Sequence, residues 1–174
     1  NNPKNVPYSS NGENTIFHLE TEHFAQIRGL ELIHVPFKTF PQAVLATMSG
    51  DTVFSYASIS LGQQYINENK VHAIAVTTDQ RTALFPNLPT AKEQGYPEIE
   101  ARLYTAIWAP AGTPDYIVKR FSEELTKVLS DKEFIKKELQ DQNYLPYLLN
   151  EKEYFTKLNS DKDKYLRIIQ NLKK

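Results

Sequence analysis

The sequence predicts an α/β fold built on a parallel-rich sheet, and three observations predict it. Short β-type runs alternate with helical patterns over the first two-thirds of the chain, which is the signature of βαβ units. After Pro114 the alternation stops, and amphipathic helical patterns follow with little strand between them. Helix start and stop residues punctuate both regions.

Taken in order, Asn5–Ser9 is a weak strand pattern. Thr15 can cap a helix through Ile16, Leu19, Phe24 and Ile27, stopped by Gly29. Glu31–Pro36 reads as a strand, and Pro41 suits the first turn of a helix through Ala43, Val44 and Met48. Thr52–Tyr56 is a further strand, Leu61–Asn67 a further helix, and Val71–Val76 a strand again. Thr90-Ala91-Lys92-Glu93 has the form of a capping box, ended by Gly95, and Arg102–Trp108 is the last strand candidate. A sheet of about five strands is expected within residues 1–108. Thr113-Pro114-Asp115 then supplies a cap, a first-turn proline and an early acid, ahead of Ile117, Val118, Phe121, Leu125, Val128 and Leu129 on one helical face. Ser130–Glu133 has the pattern of a second capping box, opening a helix to about Gln140. Asn150–Glu153 can open a third, with Tyr154, Leu158, Tyr165, Ile169 and Leu172 as its apolar stripe.

Bulk properties narrow the function. A net charge of −1 gives no electrostatic case for nucleic acid or an anionic membrane surface. The 40% hydrophobic content argues for a packed core rather than disorder. With no cysteine, disulfides, Cys-ligated zinc and thiol catalysis are excluded. No run approaches the ~20 apolar residues that span a bilayer, so direct membrane insertion is not expected. Asn1–Asn14 is polar and lacks the apolar core of a signal peptide, so an export signal would have to lie outside this chain.

Chemistry-bearing residues are few. Ser10 to Thr15 places two hydroxyls and Gly12 just ahead of a helix start, where free amides and the macrodipole favour an anion. The same residues could instead be a turn and an N-cap, and Glu13 would repel an anion. Lys38 follows a strand end and could face a carboxylate or be an ordinary surface lysine. Ser55, Ser58 and Ser60 lie near the end of a strand, where α/β sheets bind ligands, or could cap the next helix. Arg81 reads better as an anchor for the loop before Leu88-Pro89-Thr90 than as an anion ligand. His18 and His23 are five positions apart and do not share a helical face, while His34 and His72 fall in strand patterns, so no metal site is expected. Nucleophile elbows and phosphate loops are absent from the sequence, and no enzyme activity or cofactor is expected. Tyr104/Trp108 and Tyr144/Tyr147 read as packing aromatics.

Two later segments are the most specific. One runs Ala75-Val76-Thr77-Thr78, Arg81, Leu84–Thr90 and Glu93-Gln94-Gly95-Tyr96-Pro97; the other is Trp108–Pro114. In order and spacing they resemble the periplasmic solute-binding proteins of tripartite tricarboxylate transporters, the Bug family. Tyr8, Ser10, Gly12, Thr15, His18, Leu19 and Glu22 fit an early stretch of that family, and His34-Val35-Pro36-Phe37-Lys38 fits its "H-V-P-Y-K-G". Three positions depart from it: Asn14 replaces a loop Gly, Thr39 the Gly after the Lys, and Val53 an Asp.

The resemblance implies a lobe of periplasmic-binding-protein type II, followed by the C-terminal helices of the partner lobe. Residues 1–104 would be domain two of a clamshell and 105–174 a mainly helical return to domain one, whose N-terminal part is not encoded here. It further implies a periplasmic receptor capturing a small carboxylate for a membrane permease. Ser10, Gly12, Asn14, Thr15, Lys38, Ser55 and Ser58 would be the ligand residues. The alternative is a structural or vestigial remnant that binds nothing tightly.

Overall fold

A computed structural model describes residues 4–142, 144 and 146–172. It divides into two compact units, Asn1–Arg102 with Lys164–Lys174, and Leu103–Asp163.

In the first unit the chain runs β1 (Val6–Ser10), α1 (Ile16–Arg28), β2 (Leu32–Pro36), α2 (Phe40–Ser49), β3 (Phe54–Ser55) and α3 (Ile59–Asn67). The sheet is wholly parallel with order β2-β1-β3. β1, the weakest strand pattern in the sequence, is its centre, paired from Val6↔Leu32 to Ser10↔Pro36 on one side and at Tyr8↔Phe54 and Ser9↔Ser55 on the other. Because β3 lies across β1 from β2, the two crossovers run in opposite directions, and right-handed connections then put their helices on opposite faces. The alternation along β1 agrees. Tyr8 reaches Glu22 of α1, its hydroxyl donating to Oε1 at 2.7 Å, whereas Ser9 Oγ donates to the Ala43 carbonyl of α2 at 2.9 Å. Phe17, Leu19 and Ala25 are buried on α1, and Ala43, Val44 and Ala46 on α2, so both faces of the short sheet are covered.

The Thr15 and Gly29 caps form as the sequence predicts, Ser58 takes the capping alternative, and Thr39 and Gly50 are further caps not read from the sequence. Thr15, Thr39 and Ser58 are the N-caps of α1, α2 and α3, and Gly29 and Gly50 close α1 and α2 in the left-handed conformation.

The sheet has three strands rather than the five expected. Val71–Val76 forms only an isolated bridge, Val76↔Thr90, and Arg102–Trp108 is not assigned as strand. A β-type run becomes a strand only when a second backbone lies alongside, and most of these two runs have none among the described residues. Their side chains show it: Ile74, Leu103, Ile107 and Trp108 are all exposed. The capping box at Thr90 forms both reciprocal bonds, Thr90 N–H to Glu93 Oε2 at 2.8 Å and Glu93 N–H to Thr90 Oγ1 at 3.0 Å. It closes only a run of turns, cut off by Gly95 at φ +87°.

The second unit holds α4 (Asp115–Val128), the short α5 (Lys132–Phe134) continued by a π-helical stretch at Ile135–Leu139, and the start of α6 (Glu151–Leu172). Residues of α6 from Lys164 onward belong to the first unit. Pro114, not Thr113, occupies the cap position of α4, because the Thr113 hydroxyl donates back to the Pro110 carbonyl. Likewise Asp131 caps α5, accepting from the Glu133 and Phe134 amides, while Ser130 donates to the Thr126 carbonyl. The Asn150–Glu153 box forms as the sequence predicts, at 2.9 and 3.0 Å. Among the described residues no helix is long and apolar enough to cross a membrane.

Candidate functional site

All three strands of the sheet are parallel, so their C-terminal ends share one edge, and each feeds a loop leading to a capped helix N-terminus. This edge is where open α/β sheets bind ligands, at the point where successive connections diverge. Here that point lies between β1 and β3. The sheet therefore brings to one edge the loop 11–15 after β1, Lys38 after β2, and Ser55 with Ser58 at the end of β3.

The loop after β1 is tightly held. Ser10 is fully buried, and its Oγ lies 3.0 Å from the Gly12 carbonyl, 3.2 Å from the Gly12 amide and 2.7 Å from His34 Nε2. Gly12 sits at φ +134°, a region side chains rarely adopt. Thr15 Oγ1 donates to the Gly12 carbonyl at 2.9 Å while accepting the His18 amide. Asn14 has φ +57°, and asparagine is one of the few residues besides glycine that visits the left-handed region routinely. Its place at a family glycine thus keeps the backbone path. The Asn14 amide donates to His18 Nδ1 at 3.0 Å, and the Phe37 amide after β2 donates to the Ser10 carbonyl at 2.9 Å.

Beneath the loop lies a column of rings. His18 stacks on His34 with centroids 4.0 Å apart, His34 on Tyr8 at 5.0 Å, and Tyr8 on Phe54 at 5.4 Å. Burial, and secondly the neighbouring His18, push the His34 imidazole below its usual value, against the opposite pull of Glu22 and Glu13. Burial, and secondly the hydrogen bond to Glu22, push the Tyr8 phenol far upward, so it is a fixed donor.

The remaining residues singled out from the sequence are less enclosed. Lys38 is exposed beside Thr39, which caps α2 in the place of the family glycine. Ser55 is half-buried opposite Ser9 on β1. Ser58 is exposed and caps α3, accepting the Leu61 amide at 3.3 Å. Arg81 grips Glu93 at 2.9 Å and the Pro86 carbonyl at 3.2 Å, the anchoring role its loop context implies. Val53, where the family has an acid, is 64% exposed. Two concavities of this unit lie elsewhere, one lined by Ile66, His72 and Phe85, the other by Thr78, Lys92 and Glu100. Sequence reasoning missed the His18–His34–Ser10 connection. The one signal was the place of His18 three residues after a threonine cap, and it needed the β1–β2 register to become meaningful.

Helix N-termini gathered at one edge of a parallel sheet are an arrangement at which other open α/β proteins bind ligands. The family model for the tripartite tricarboxylate transporter family receptor matches residues 1–173, and the chain belongs to that family. Among curated relatives, a UPF0065 protein from the tcbD-tcbE intergenic region of Pseudomonas sp. (strain P51) is 29% identical over 136 residues, covering 78% of this chain and 40% of that protein. Protein BugT of Bordetella pertussis is 27% identical, covering 77% of this chain and 41% of BugT. A solved periplasmic transporter superposes with a TM-score of 0.82 at 25% identity, over 97% of this chain and 56% of its own. MatC of Rhodopseudomonas palustris, solved with bound malate, shares the fold with a TM-score of 0.68 at 19% identity, over 97% of this chain and 57% of its own. The chain thus spans about two-fifths of the length of these two curated relatives and somewhat over half of the two solved ones.

Proposed function

We propose that these residues form part of a periplasmic solute-binding receptor that captures a small carboxylate for a tripartite tricarboxylate-type membrane permease. The family match over residues 1–173 carries this reading. The malate bound by MatC, a relative in fold, supports a small carboxylate as the ligand class. Residues 1–104 would be the second lobe of a clamshell and 105–174 the mainly helical return to the first. The ligand residues would be Ser10, Gly12, Asn14 and Thr15 through the shape and amides of their loop, Lys38 through its charge, and Ser55 and Ser58 through hydroxyls. First-turn amides of a helix have no intrahelical carbonyl to bind, which is what a carboxylate needs from α1. The Oδ1 of Asn11 is buried without a hydrogen-bond partner among the described residues, a polar atom that a ligand hydroxyl or a water would satisfy. The mechanism is non-catalytic: lobes close on the ligand and protein donors replace its water.

A second reading, a remnant that binds nothing tightly, is favoured by one observation. The hydroxyls of Ser10, Thr15 and Ser58 already serve the protein's own backbone. Titration calorimetry with succinate, malate and citrate separates the two. On one lobe the carboxylate stays hydrated, and each hydrogen bond is worth ~0.5–1.5 kcal/mol net. Two or three give about millimolar affinity, and this is the expected outcome for the 174-residue chain alone. Micromolar binding would show that one lobe suffices. Undetectable heat at ~10 mM ligand, near the millimolar scale set above, would leave the remnant reading standing.

A further inference from the structure

We infer that His18, stacked on His34, is a proton-sensitive latch that holds the 11–15 loop against the sheet edge while its Nδ1 is bare and releases it in acid. Its relevance to ligand capture rests on the reading above; the latch itself does not.

The hydrogen-bond pattern dictates which ring nitrogens carry protons. His18 Nδ1 accepts the Asn14 amide at 3.0 Å, so that nitrogen must be bare. A proton placed there would set N–H against N–H and break the bond that fixes residue 14. At His34 the partner is Ser10 Oγ, 2.7 Å from Nε2. Ser10 has a single proton, and it can be given to the Gly12 carbonyl only if Nε2–H of His34 is the donor to Oγ. Both rings are then satisfied as neutral imidazoles, each through a different residue of the same loop.

The stack makes the pair cooperative. With centroids 4.0 Å apart and planes 14° from parallel, two imidazolium rings would face one another across van der Waals contact. The groups that face His34 are His18 and Glu22 from α1, Glu13 from the loop and Tyr8 from β1, while the uncharged Phe54 of β3 stacks on the far side of Tyr8. Glu22 is engaged by the Tyr8 hydroxyl, and Glu13 is exposed. A proton on His18 Nδ1 therefore breaks the hold on Asn14, whereas a proton on His34 enters at Nδ1, leaves the Nε2–H bond to Ser10 in place, and opposes charge on His18.

The test is proton NMR on the 174-residue chain, following imidazole resonances and amide exchange of Gly12 and Asn14 from pH 8 to 5, with exposed His72 as reference. Expected is a fall of about tenfold or more in protection at Asn14, after correction for intrinsic exchange, together with coupled titration of the two rings. His18→Asn keeps an acceptor at the Nδ1 position and His34→Gln keeps a donor at the Nε2 position, and neither titrates. His18→Asn is expected to flatten the pH dependence while the loop stays protected, whereas His34→Gln, which removes only the opposing charge, is expected to keep the release at Asn14. Independent single-proton titration of both rings, or unchanged protection across the range in the wild-type chain, would overturn the latch even if a variant fails to fold. So would a folded His18→Asn that keeps the full pH dependence. Succinate added at pH 8 tests the other reading separately: a latch that titrates as expected on a chain that binds no succinate upholds the latch and removes its link to ligand capture.

Discussion

Tyr8 shows how one residue can join the two kinds of information a fold needs, shape and polarity. Its ring is fully buried between His34 and Phe54, and its hydroxyl donates to Glu22 across the face of the sheet. A hydrogen bond to a carboxylate is worth about 1.5–3 kcal/mol, so Tyr8→Phe is expected to destabilise the first unit by roughly that amount at pH 7, read by urea unfolding. The pH dependence has a definite sign. In the unfolded chain the phenol ionises near its ordinary value of 10.0, whereas burial and Glu22 raise it in the folded state. Above pH 10 the unfolded state therefore holds fewer protons, and stability falls as pH rises, by up to about 1.4 kcal/mol per pH unit from this group. Tyr56, raised by burial, adds to the same alkaline slope. Tyr8→Phe is expected to lose Tyr8's share of that slope; an unaltered alkaline limb would mean that Tyr8 ionises freely when folded.

Among elements, the contact between α1 and the end of α6 depends on one buried acid. Glu20 is 0% exposed, and its Oε1 accepts from Lys164 Nζ at 2.6 Å and from the Tyr165 hydroxyl at 2.9 Å. Gln26 adds a bond to the Asn171 carbonyl, and Ile168 is buried on the same stretch of helix. Removing one partner of a buried pair costs about 3–5 kcal/mol. Glu20→Ala is expected at the low end, about 3 kcal/mol, because the Lys164 side chain keeps 31% of its exposure and can be rehydrated. Equilibrium unfolding in urea measures it, and a loss below about 1 kcal/mol, the median for a surface pair, would show the contact to be solvated in practice. Helices were the more legible elements in the sequence because their signals are local: Thr15, Gly29, Pro41 and Asn150 act within a few residues of themselves. Strands were not, because pairing is not written in the strand. The poor pattern Asn5–Ser9 became the centre of the sheet, while the richer Val71–Val76 and Arg102–Trp108 found no ladder. The site followed the same rule. The capping roles of Thr15 and Ser58 could be read locally, whereas the approach of His34 to Ser10 exists only through the β1–β2 register.

For the whole molecule, the two units differ in what holds them. The first buries Tyr8, Leu19, Val44 and Ala43 around a sheet covered on both faces. Of the described residues in Leu103–Asp163, by contrast, not one is buried. α4 has an apolar face in its sequence, yet Ile117, Val118, Phe121 and Val128 are all exposed. Ring contacts such as Tyr104 on Tyr147 and Trp108 on Tyr154 are what this unit has in place of a core. Aromatic pairs of this kind add about 0.5–1.5 kcal/mol each beyond burial, too little to offset the ~1–2 kcal/mol of backbone entropy lost for every ordered residue. Helices without a packed face are marginal in water at this length. The second unit should therefore open far more readily than the first in the isolated chain. Hydrogen exchange read by mass spectrometry is expected to show α4 and the first half of α6 exchanging at least tenfold faster than β1, α1 and β2, with the last turns of α6 protected through Lys164 and Ile168. Equal protection across both units would mean that the exposed apolar face of α4 is covered in solution, and sedimentation velocity would then be expected to show association of the chain through that face.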